Sequence, residues 1–336
     1  MLDLRRLAAV WPAVVAAVGA AGLLLLGLSI AGVDPGEAAL TAWRGAFGSW
    51  SRLAVTASEA VPLVLCGLGA ALALRSGTWN IGLEGQCLLG MVAAIAVLVT
   101  MPPGAAACAV GLLAGALAGA AWCGIAVALE RTRGVPLVLS TILLNTVAAM
   151  LLGALVQGPL QASGSAAPET AVVPEASRLA MLASPLHVGA VLAVILAVVS
   201  WLVQQRTVLG FELTVAGRNP EAARFAGIPV GLRTLQAALG SGALAGLAGA
   251  VQVAGVTWFV SDGARSWGYA GIAVALLARL HPLGVVLSAL FFAGLAVGAR
   301  ALERRMEVPH DLGVIAQGLA VAAVLLAGAL AARKRT

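Results

Sequence analysis

The sequence predicts an all-α, polytopic helical membrane protein whose 336 residues form a single transmembrane domain, 1–336, with about ten spans. Hydrophobic residues make up 61% of the chain and charged residues only 10%, which leaves too little polar surface to cover a water-soluble globule. The apolar residues occur in runs of about 20, the length of a membrane-spanning helix, whereas barrel strands are shorter and alternate in polarity.

Taken in order, the apolar runs predict ten spans, of which two are short or interrupted. They cover residues 8–30, 57–75, 82–100, 105–129, 136–156, 185–203, 233–256, 268–280, 283–300 and 310–331. The run 268–280 is short for a hydrocarbon layer of about 30 Å, and only a polar stretch, 76–86, separates the second run from the third. The first run follows Arg5 and Arg6 as in a secretory signal, but it is too long for a signal's apolar core and is interpreted as a retained helix.

The distribution of arginine predicts the orientation. The net charge is +6, but the arginines are scattered at span ends and not clustered on one face, which argues against nucleic-acid binding. With N- and C-termini in the cytoplasm of a bacterial inner membrane, four basic segments lie inside: residues 5–6, 131–133, 206–233 and 333–335. One loop departs from the rule that basic residues lie on the cytoplasmic side, because this arrangement places Arg300, Arg304 and Arg305 outside.

The loops divide the chain into two halves. A proline-containing segment forms an extracytoplasmic loop, and a charged segment in the second half forms a cytoplasmic one. The predicted parts are a first half at 1–156, the outer loop at 157–184, a second half at 185–336 and the inner loop at 204–232. Each half contains an interrupted stretch, Thr78–Gln86 and Ser261–Gly271, and such paired interruptions suggest a two-half pseudo-repeat around a transport path.

A short amphipathic helix is predicted inside the loop at 204–232. Asn219 is placed to cap the helix, Pro220 suits its first position, Glu221 favours the positive end of its dipole, and Gly227 ends it. The remaining side chains of this stretch give a face of small residues beside Phe225, flanked by arginine: Arg218, Ala222, Ala223, Arg224 and Ala226. This face suits docking against another protein, but composition alone allows an ordinary solvated helix equally well.

A few polar residues lie within or between the apolar runs. Glu84 is costly in a membrane unless it faces water or a partner, so it is a candidate functional residue. A structural role is equally open, in which Asn80 and Glu84 satisfy the backbone of an interrupted helix. For Thr141, Asn145 and Gln252, hydrogen bonds between helices are the more common role of such side chains, and solute contact is the alternative.

No motif for enzymatic chemistry is present. The sequence has no nucleophile elbow and no His-Glu-x-x-His motif. Lys334 is its only lysine, so no phosphate-binding loop of the Gly-x4-Gly-Lys type exists in this chain. Its four cysteines lie in or beside apolar runs without metal spacing and are interpreted as small core residues. We therefore expect no cofactor or metal in this chain.

Several motifs resemble those of a known family. They are the stretch 67–77 with Asn80-Ile81-Gly82-Leu83-Glu84-Gly85-Gln86, the segment Leu139 to Asn145, the charged stretch 217–228, and the segment Gly271 to Ala278 with His281-Pro282-Leu283-Gly284. In this order they resemble the permease subunits of ABC importers for ribose-like sugars, nucleosides and branched-chain amino acids, closest to those for nucleosides and simple sugars. The chain departs from the family pattern at two places that bear on the choice of substrate. Ala278 stands where Gly is common in the family, and the loop 261–267 lacks the expected glycines.

The resemblance implies a function and its partners. Such a subunit pairs with a second permease, identical or different, with ABC ATPase subunits that use ATP and Mg, and with an extracytoplasmic solute-binding protein. It moves a small polar solute by alternating access. The residues it assigns to ATPase coupling are Arg218, Asn219, Pro220, Glu221, Ala222, Ala223, Arg224 and Gly227, and the candidates for the solute path are Asn80, Glu84, Gln86, Asn145 and Gln252. The alternative is a gradient-driven carrier or channel, which needs no coupling helix.

Overall fold

The computed structural model describes residues 34–165, 167–261 and 266–306, together with Ile315 and Gly318. The predicted first span and, apart from these two residues, the tenth lie outside the described residues. By their internal contacts the residues form two compact units, 1–57 with 290–336, and 58–289.

The described chain is mostly helical. Its helices are α1 (Pro35–Phe47), α2 (Trp50–Arg75), α3 (Leu83–Thr100), α4 (Ala105–Arg133), α5 (Leu137–Val156), α6 (Gly189–Arg206), α7 (Val208–Arg218), α8 (Pro220–Phe225), α9 (Val230–Gln252), which continues as a π-helix (Val253–Thr257), α10 (Trp267–Leu277) and α11 (Pro282–Met306). Within the described ranges, seven are long and apolar enough to cross a membrane: α2 to α6, α9 with its π-helix, and α11.

These seven helices coincide with the predicted spans two to seven and nine, which confirms a polytopic helical membrane protein. The predicted eighth span corresponds to α10, which has only 11 residues. It ends at Leu277, before the predicted limit of 280, because Arg279 and Leu280 adopt the left-handed region with φ of 52° and 59°. The total of ten spans and the pseudo-repeat stay predictions.

Several span boundaries predicted from hydropathy were wrong. The helix α1 was not predicted, and α2 begins at Trp50 and not at 57. The helix α11 continues to Met306, so Arg300, Arg304 and Arg305 lie on a helix and not in a loop. Alanine, leucine, glutamate and arginine are all strong helix formers, so these segments stay helical where hydropathy alone ends a span.

Glycines hold the centre of the unit 58–289 together, where α3, α4 and α9 pack against one another. A Cβ on Gly242 would lie 2.6 Å from the carbonyl oxygen of Gly119, and one on Gly246 would lie 2.9 Å from the Cα of Gly119. These glycines belong to the repeats Gly111-x3-Gly115-x3-Gly119 and Gly242-x3-Gly246, and only hydrogen fits between the two backbones at this contact.

The unit that includes residues 34–57 and 290–306 has its own packing. Asp34 caps α1, with its Oδ1 accepting from the backbone N of Glu37 at 2.8 Å. The hydroxyl of Thr56 donates to the carbonyl oxygen of Ala46 at 2.8 Å, and a Cβ on Gly298 would lie 3.2 Å from that of Ala42. These contacts join α1 to both long helices of this unit.

The segment predicted as the outer loop, 157–184, extends to residue 188, because α6 begins at Gly189 and not at the predicted 185. It contains a 3₁₀ turn at Glu175–Ser177 and a two-stranded antiparallel sheet of β1 (Met181–Ala183) and β2 (Leu186–His187). Its backbone pairs with the π-helix and the residues after it. The donors and acceptors are Thr170 N to Val260 O (3.0 Å), Val173 N to Trp258 O (2.7 Å) and Leu179 N to Ala254 O (2.9 Å). The guanidinium of Arg178 lies 4.3 Å from the ring centroid of Trp258. The segment therefore covers this end of α9.

Candidate functional site

Residues 76–82 separate α2 from α3 without helical structure. The sequence predicted an interruption at Thr78–Gln86, but residues 83–86 already form the first turn of α3. The interruption begins where Gly77 adopts φ of +74° and Thr78 N donates back to the carbonyl oxygen of Ala73 at 2.9 Å. A left-handed residue ends a helix in this way, and glycine adopts it without steric cost. The exposed backbone that results needs hydrogen-bond partners inside the bundle.

Asn80 supplies the first set of partners. Its Nδ2 donates to Gln86 Oε1 at 2.9 Å and to Ser241 Oγ on α9 at 3.0 Å. Its Oδ1 accepts from Gly82 N at 3.0 Å and from Gln86 Nε2 at 2.9 Å. All these groups are buried. The two side-chain amides thus pair reciprocally and fasten the interruption to α9.

Asn145 supplies the second set, from α5. Its Oδ1 accepts from Gly85 N at 2.8 Å, one of the amides that the first turn of α3 leaves without a helical partner. Its Nδ2 donates to Ile81 O and to the Tyr269 hydroxyl of α10, both at 3.0 Å. One turn earlier, the hydroxyl of Thr141 accepts from Ile81 N at 3.3 Å. The side chains of α5 therefore replace the backbone bonds that the interrupted helix lacks.

Glu84 links α3 to the short helix α10. Its Oε2 accepts from Gly268 N at 2.7 Å, in the first turn of α10, where free amides and the helix dipole favour a negative group. The side chain is only 7% exposed. A Cβ on Gly268 would lie 2.5 Å from the carbonyl carbon of Leu83, so glycine is what allows this approach.

Four of the five solute-path candidates therefore meet in one polar network: Asn80, Glu84, Gln86 and Asn145. Gln252 is also buried, but it lies at the end of α9, where the π-helix begins, apart from these contacts. Two members of the network escaped the sequence prediction, Ser241 and Tyr269. The available signals were a lone serine in the glycine-rich α9 and the single tyrosine of the chain.

The network separates two cavities. The first, of about 260 Å³, is lined by Gly77, Thr78, Trp79, Val127, Glu130, Arg131, Pro136, Leu137, Val138, Thr234, Leu235 and Ala238. The second, of about 290 Å³, is lined by Leu88, Met91, Leu152, Val256, Thr257, Phe259, Val260 and Ser261.

Three chain segments give the same order of cavity, network and cavity. Along the segment leading into α3 the first cavity ends at Trp79, and the second begins at Leu88. The network residues of α5 lie between Val138 and Leu152, and Ser241 of α9 lies between Ala238 and the π-helix. The hydrogen-bonded residues therefore lie between the two cavities.

The predicted coupling helix is present as α8. Asn219 Oδ1 accepts from Ala222 N at 3.0 Å, Pro220 takes the first position, and Gly227 follows the helix with φ of +77°. Phe225 is 95% exposed. The preceding helix α7 was not predicted, because its 11 residues are too few for a span and lie within the predicted loop 204–232.

The predicted docking face needs one correction. Ala223 is fully buried against its own chain, whereas Ala222, Phe225 and Ala226 are exposed. In a helix of six residues, only one side faces outward, and spacing alone did not show which side that was. The exposed face of α8 therefore consists of Ala222, Phe225 and Ala226, with Glu221 and Arg224 beside it.

The helix α7 connects this face to the interruption at 76–82. A Cβ on Gly217 would lie 2.6 Å from the carbonyl carbon of Ser76, and one on Gly77 would lie 3.0 Å from the Cα of Gly217. Arg75 reinforces the contact, with Nε donating to Thr214 Oγ1 at 3.2 Å and an Nη donating to Gln204 Oε1 at 3.1 Å. The helix α7 therefore packs directly against the segment that carries Asn80.

Metal-based chemistry finds no support in the described ranges, where no group of three His, Cys, Asp or Glu side chains is placed to hold an ion. The four cysteines are free and buried, in agreement with their interpretation as core residues.

Comparison with known proteins identifies the family. The model of a family described as branched-chain amino acid transport system / permease component matches residues 53–332. The glucose ABC transporter permease protein TsgB13 of Haloferax volcanii is 35% identical over 95% of this chain and 89% of its own length. The guanosine ABC transporter permease protein NupP of Bacillus subtilis is 32% identical over 87% of this chain and 86% of its own.

A third relative, the nucleoside ABC transporter permease protein NupB of Lactococcus lactis, is 30% identical over 80% of this chain and 78% of its own length. The residues matched by the family model include the interruption at 76–82, the polar network and α8. The chain belongs to the permease-component family of ABC transporters.

Proposed function

We propose that this chain is the membrane-spanning subunit of an ATP-driven importer that moves a nucleoside or a simple sugar by alternating access. Three relatives carry glucose, guanosine or nucleoside in their names. The observation that carries the mechanism is the closed polar network between two cavities, joined through Gly77 and Gly217 to an exposed coupling helix.

The network supplies a gate. Its side chains satisfy one another, so it closes the path without leaving a buried polar group unpaired. When it opens, the same groups, Asn80, Gln86 and Asn145, face the path and offer donors and acceptors to a polar solute. Gln252 is proposed to contribute further along the path. The gate and the solute contact are thus two states of the same residues.

The force comes from outside the chain. We propose that a separate ABC ATPase receives the exposed face of α8, and that its closure moves α7 against residues 76–82. A second permease, the same or different, completes the path, and an extracytoplasmic solute-binding protein delivers the solute to the side that carries residues 157–184. The chain spans a bacterial inner membrane with its coupling helix in the cytoplasm.

The test is reconstitution. The chain is copurified with its ATPase and partner permease, and uptake of labelled nucleosides and glucose into proteoliposomes is measured with the binding protein, with and without ATP. We expect uptake only with all components and ATP, and no ATP hydrolysis by the chain alone. Uptake driven by an ion gradient without the ATPase would instead support the gradient-driven carrier.

A further inference from the structure

The second cavity has a lining that bears on which solute is carried. Its volume is about 290 Å³, close to the lower end of ligand sites in proteins, about 300 Å³. Its walls come from α3, α5, the π-helix and the four residues that follow it. A π-helix inside an α-helix often marks a functional site, and here it turns Val256 and Thr257 toward the cavity.

The side chains of this lining are mostly apolar. Six are aliphatic, thioether or aromatic, with Met91 and Phe259 the largest, and two carry a hydroxyl, Thr257 and Ser261. None carries a charge or an amide. Phe259 is 36% exposed, so part of its ring is free to meet a ligand.

A hexose and a nucleoside make different demands on such a site. A hexose bears hydroxyls around its ring, and each needs a hydrogen-bond partner when it leaves water. A nucleobase has two apolar faces and requires hydrogen bonds only at its edge, and its flat face stacks on an aromatic ring. Two hydroxyls with the neighbouring backbone match the edge of a base better than a whole sugar ring.

We infer that this cavity receives the base of a nucleoside, with the Phe259 ring against its face and the hydroxyls of Thr257 and Ser261 at its polar edge. This inference rests on the proposed function and narrows it, because the names of the relatives include both glucose and nucleosides. Met91 adds a polarizable thioether on the α3 wall, a group that packs well against aromatic rings.

The test uses the complete importer in proteoliposomes with labelled guanosine as the transported probe. Unlabelled adenosine, ribose and glucose are added as competitors. Phe259→Leu removes the ring but keeps an apolar side chain, Phe259→Trp keeps a ring, and Phe291→Leu changes an exposed phenylalanine of α11 as the matched control. ATP hydrolysis in the absence of solute reports on folding and assembly.

We expect adenosine to compete and ribose and glucose to compete at least tenfold less well. Phe259→Leu should raise the KM for guanosine at least tenfold with the basal ATP hydrolysis unchanged, whereas Phe259→Trp and Phe291→Leu should stay within threefold of the parent. Glucose uptake with no nucleoside uptake, or an unchanged KM in Phe259→Leu, would overturn the inference while leaving the importer intact. Uptake that does not require ATP, or no uptake of any solute, would instead count against the proposed function.

Discussion

At the scale of single residues, the buried polar side chains act as substitutes for backbone hydrogen bonds. Asn145 takes an amide from the first turn of α3, and Glu84 takes one from the first turn of α10. Water is absent from a hydrocarbon layer, so an interrupted helix is stable there only if side chains replace the missing partners. The same residues that a transport path needs are therefore also needed for the fold.

Glu84 allows these roles to be separated. Glu84→Ala leaves the Gly268 amide without an acceptor, which costs about 1–3 kcal/mol of stability. Glu84→Gln keeps an acceptor oxygen and loses only the charge at the helix end, about 0.3–1 kcal/mol. We expect thermal unfolding in detergent to rank the parent first, then Gln, then Ala. Equal unfolding temperatures for Ala and Gln would contradict the capping role.

The imidazole of His187, in the segment outside the spans, predicts a pH dependence. Burial lowers the pKa of His187 to about 4, against about 6.5 in an unfolded chain. Its Nδ1 accepts from Gly189 N at 3.1 Å and its Nε2 has no partner. The unfolded state binds the proton more readily, so protonation of His187 favours unfolding. The stability that the neutral imidazole allows is therefore complete above about pH 6.5 and is lost as the pH falls toward 4.

The corresponding measurement compares unfolding temperatures between pH 7.5 and 4.5. We expect a steeper decline for the parent than for His187→Asn, whose side chain also accepts an amide two residues on but does not titrate. Parallel declines of the two proteins would show that His187 carries no part of this pH dependence.

At the scale of elements, the proposed coupling of α8 to the polar network depends on two contacts. The first is the close approach of α7 and the interruption between α2 and α3, and the second is the outward face of α8. Both depend on side-chain size: the first requires the absence of a Cβ, and the second presents an almost fully exposed aromatic ring. Each contact can therefore be tested by a single substitution.

Gly217→Ala tests the first contact. The added methyl would overlap the backbone of residues 75–77, so either α7 or the interruption must move away, and overpacking of this kind costs about 1–3 kcal/mol. We expect ATP hydrolysis to lose its stimulation by solute-loaded binding protein. Gly231→Ala is the matched control, because nothing lies within 4 Å of its added Cβ; a normal stimulation in Gly217→Ala would refute the proposed connection.

Phe225→Ser tests the second contact. Since the ring is 95% exposed, its removal should leave the unfolding temperature of the chain unchanged. Buried aromatic anchors at protein interfaces contribute about 2 kcal/mol or more, so we expect much less ATPase to copurify. Phe211→Ser removes an exposed phenylalanine of the neighbouring α7 and serves as the control. If both variants copurify the ATPase like the parent, α8 is not the docking element.

At the scale of the whole molecule, the polar network of the unit 58–289 lies between two cavities. The segment 157–188 lies at one end of this unit, and α7 and α8 lie at the other. Seven described helices that are long and apolar enough to cross a membrane match predicted spans. The side on which each end lies is still a prediction from arginine placement.

Cysteine labelling in intact cells tests this orientation. The native cysteines are buried, so their background reaction should be low. We expect Ser163→Cys, exposed in the outer segment, to react with a membrane-impermeant maleimide from the periplasmic side, and Arg224→Cys on α8 to react only after the cells are opened. The reverse pattern would invert the topology.

The sequence by itself determined the class of the molecule, seven of its spans, the interruption at 76–82 and the existence of a capped helix at 219–227. These features follow from local chemistry: runs of apolar residues, a glycine that ends a helix, and an asparagine followed by proline that begins one. The family motifs also contain most members of the polar network.

Only the tertiary structure decided which side of α8 faces outward, that Ser241 and Tyr269 join the network, and that the network lies between two cavities. These properties depend on contacts between residues more than a hundred positions apart, such as Asn80 with Ser241 and Glu84 with Gly268. Sequence periodicity reports which residues are buried, but a hydrogen bond between two buried helices depends on their relative rotation and depth, which only packing sets.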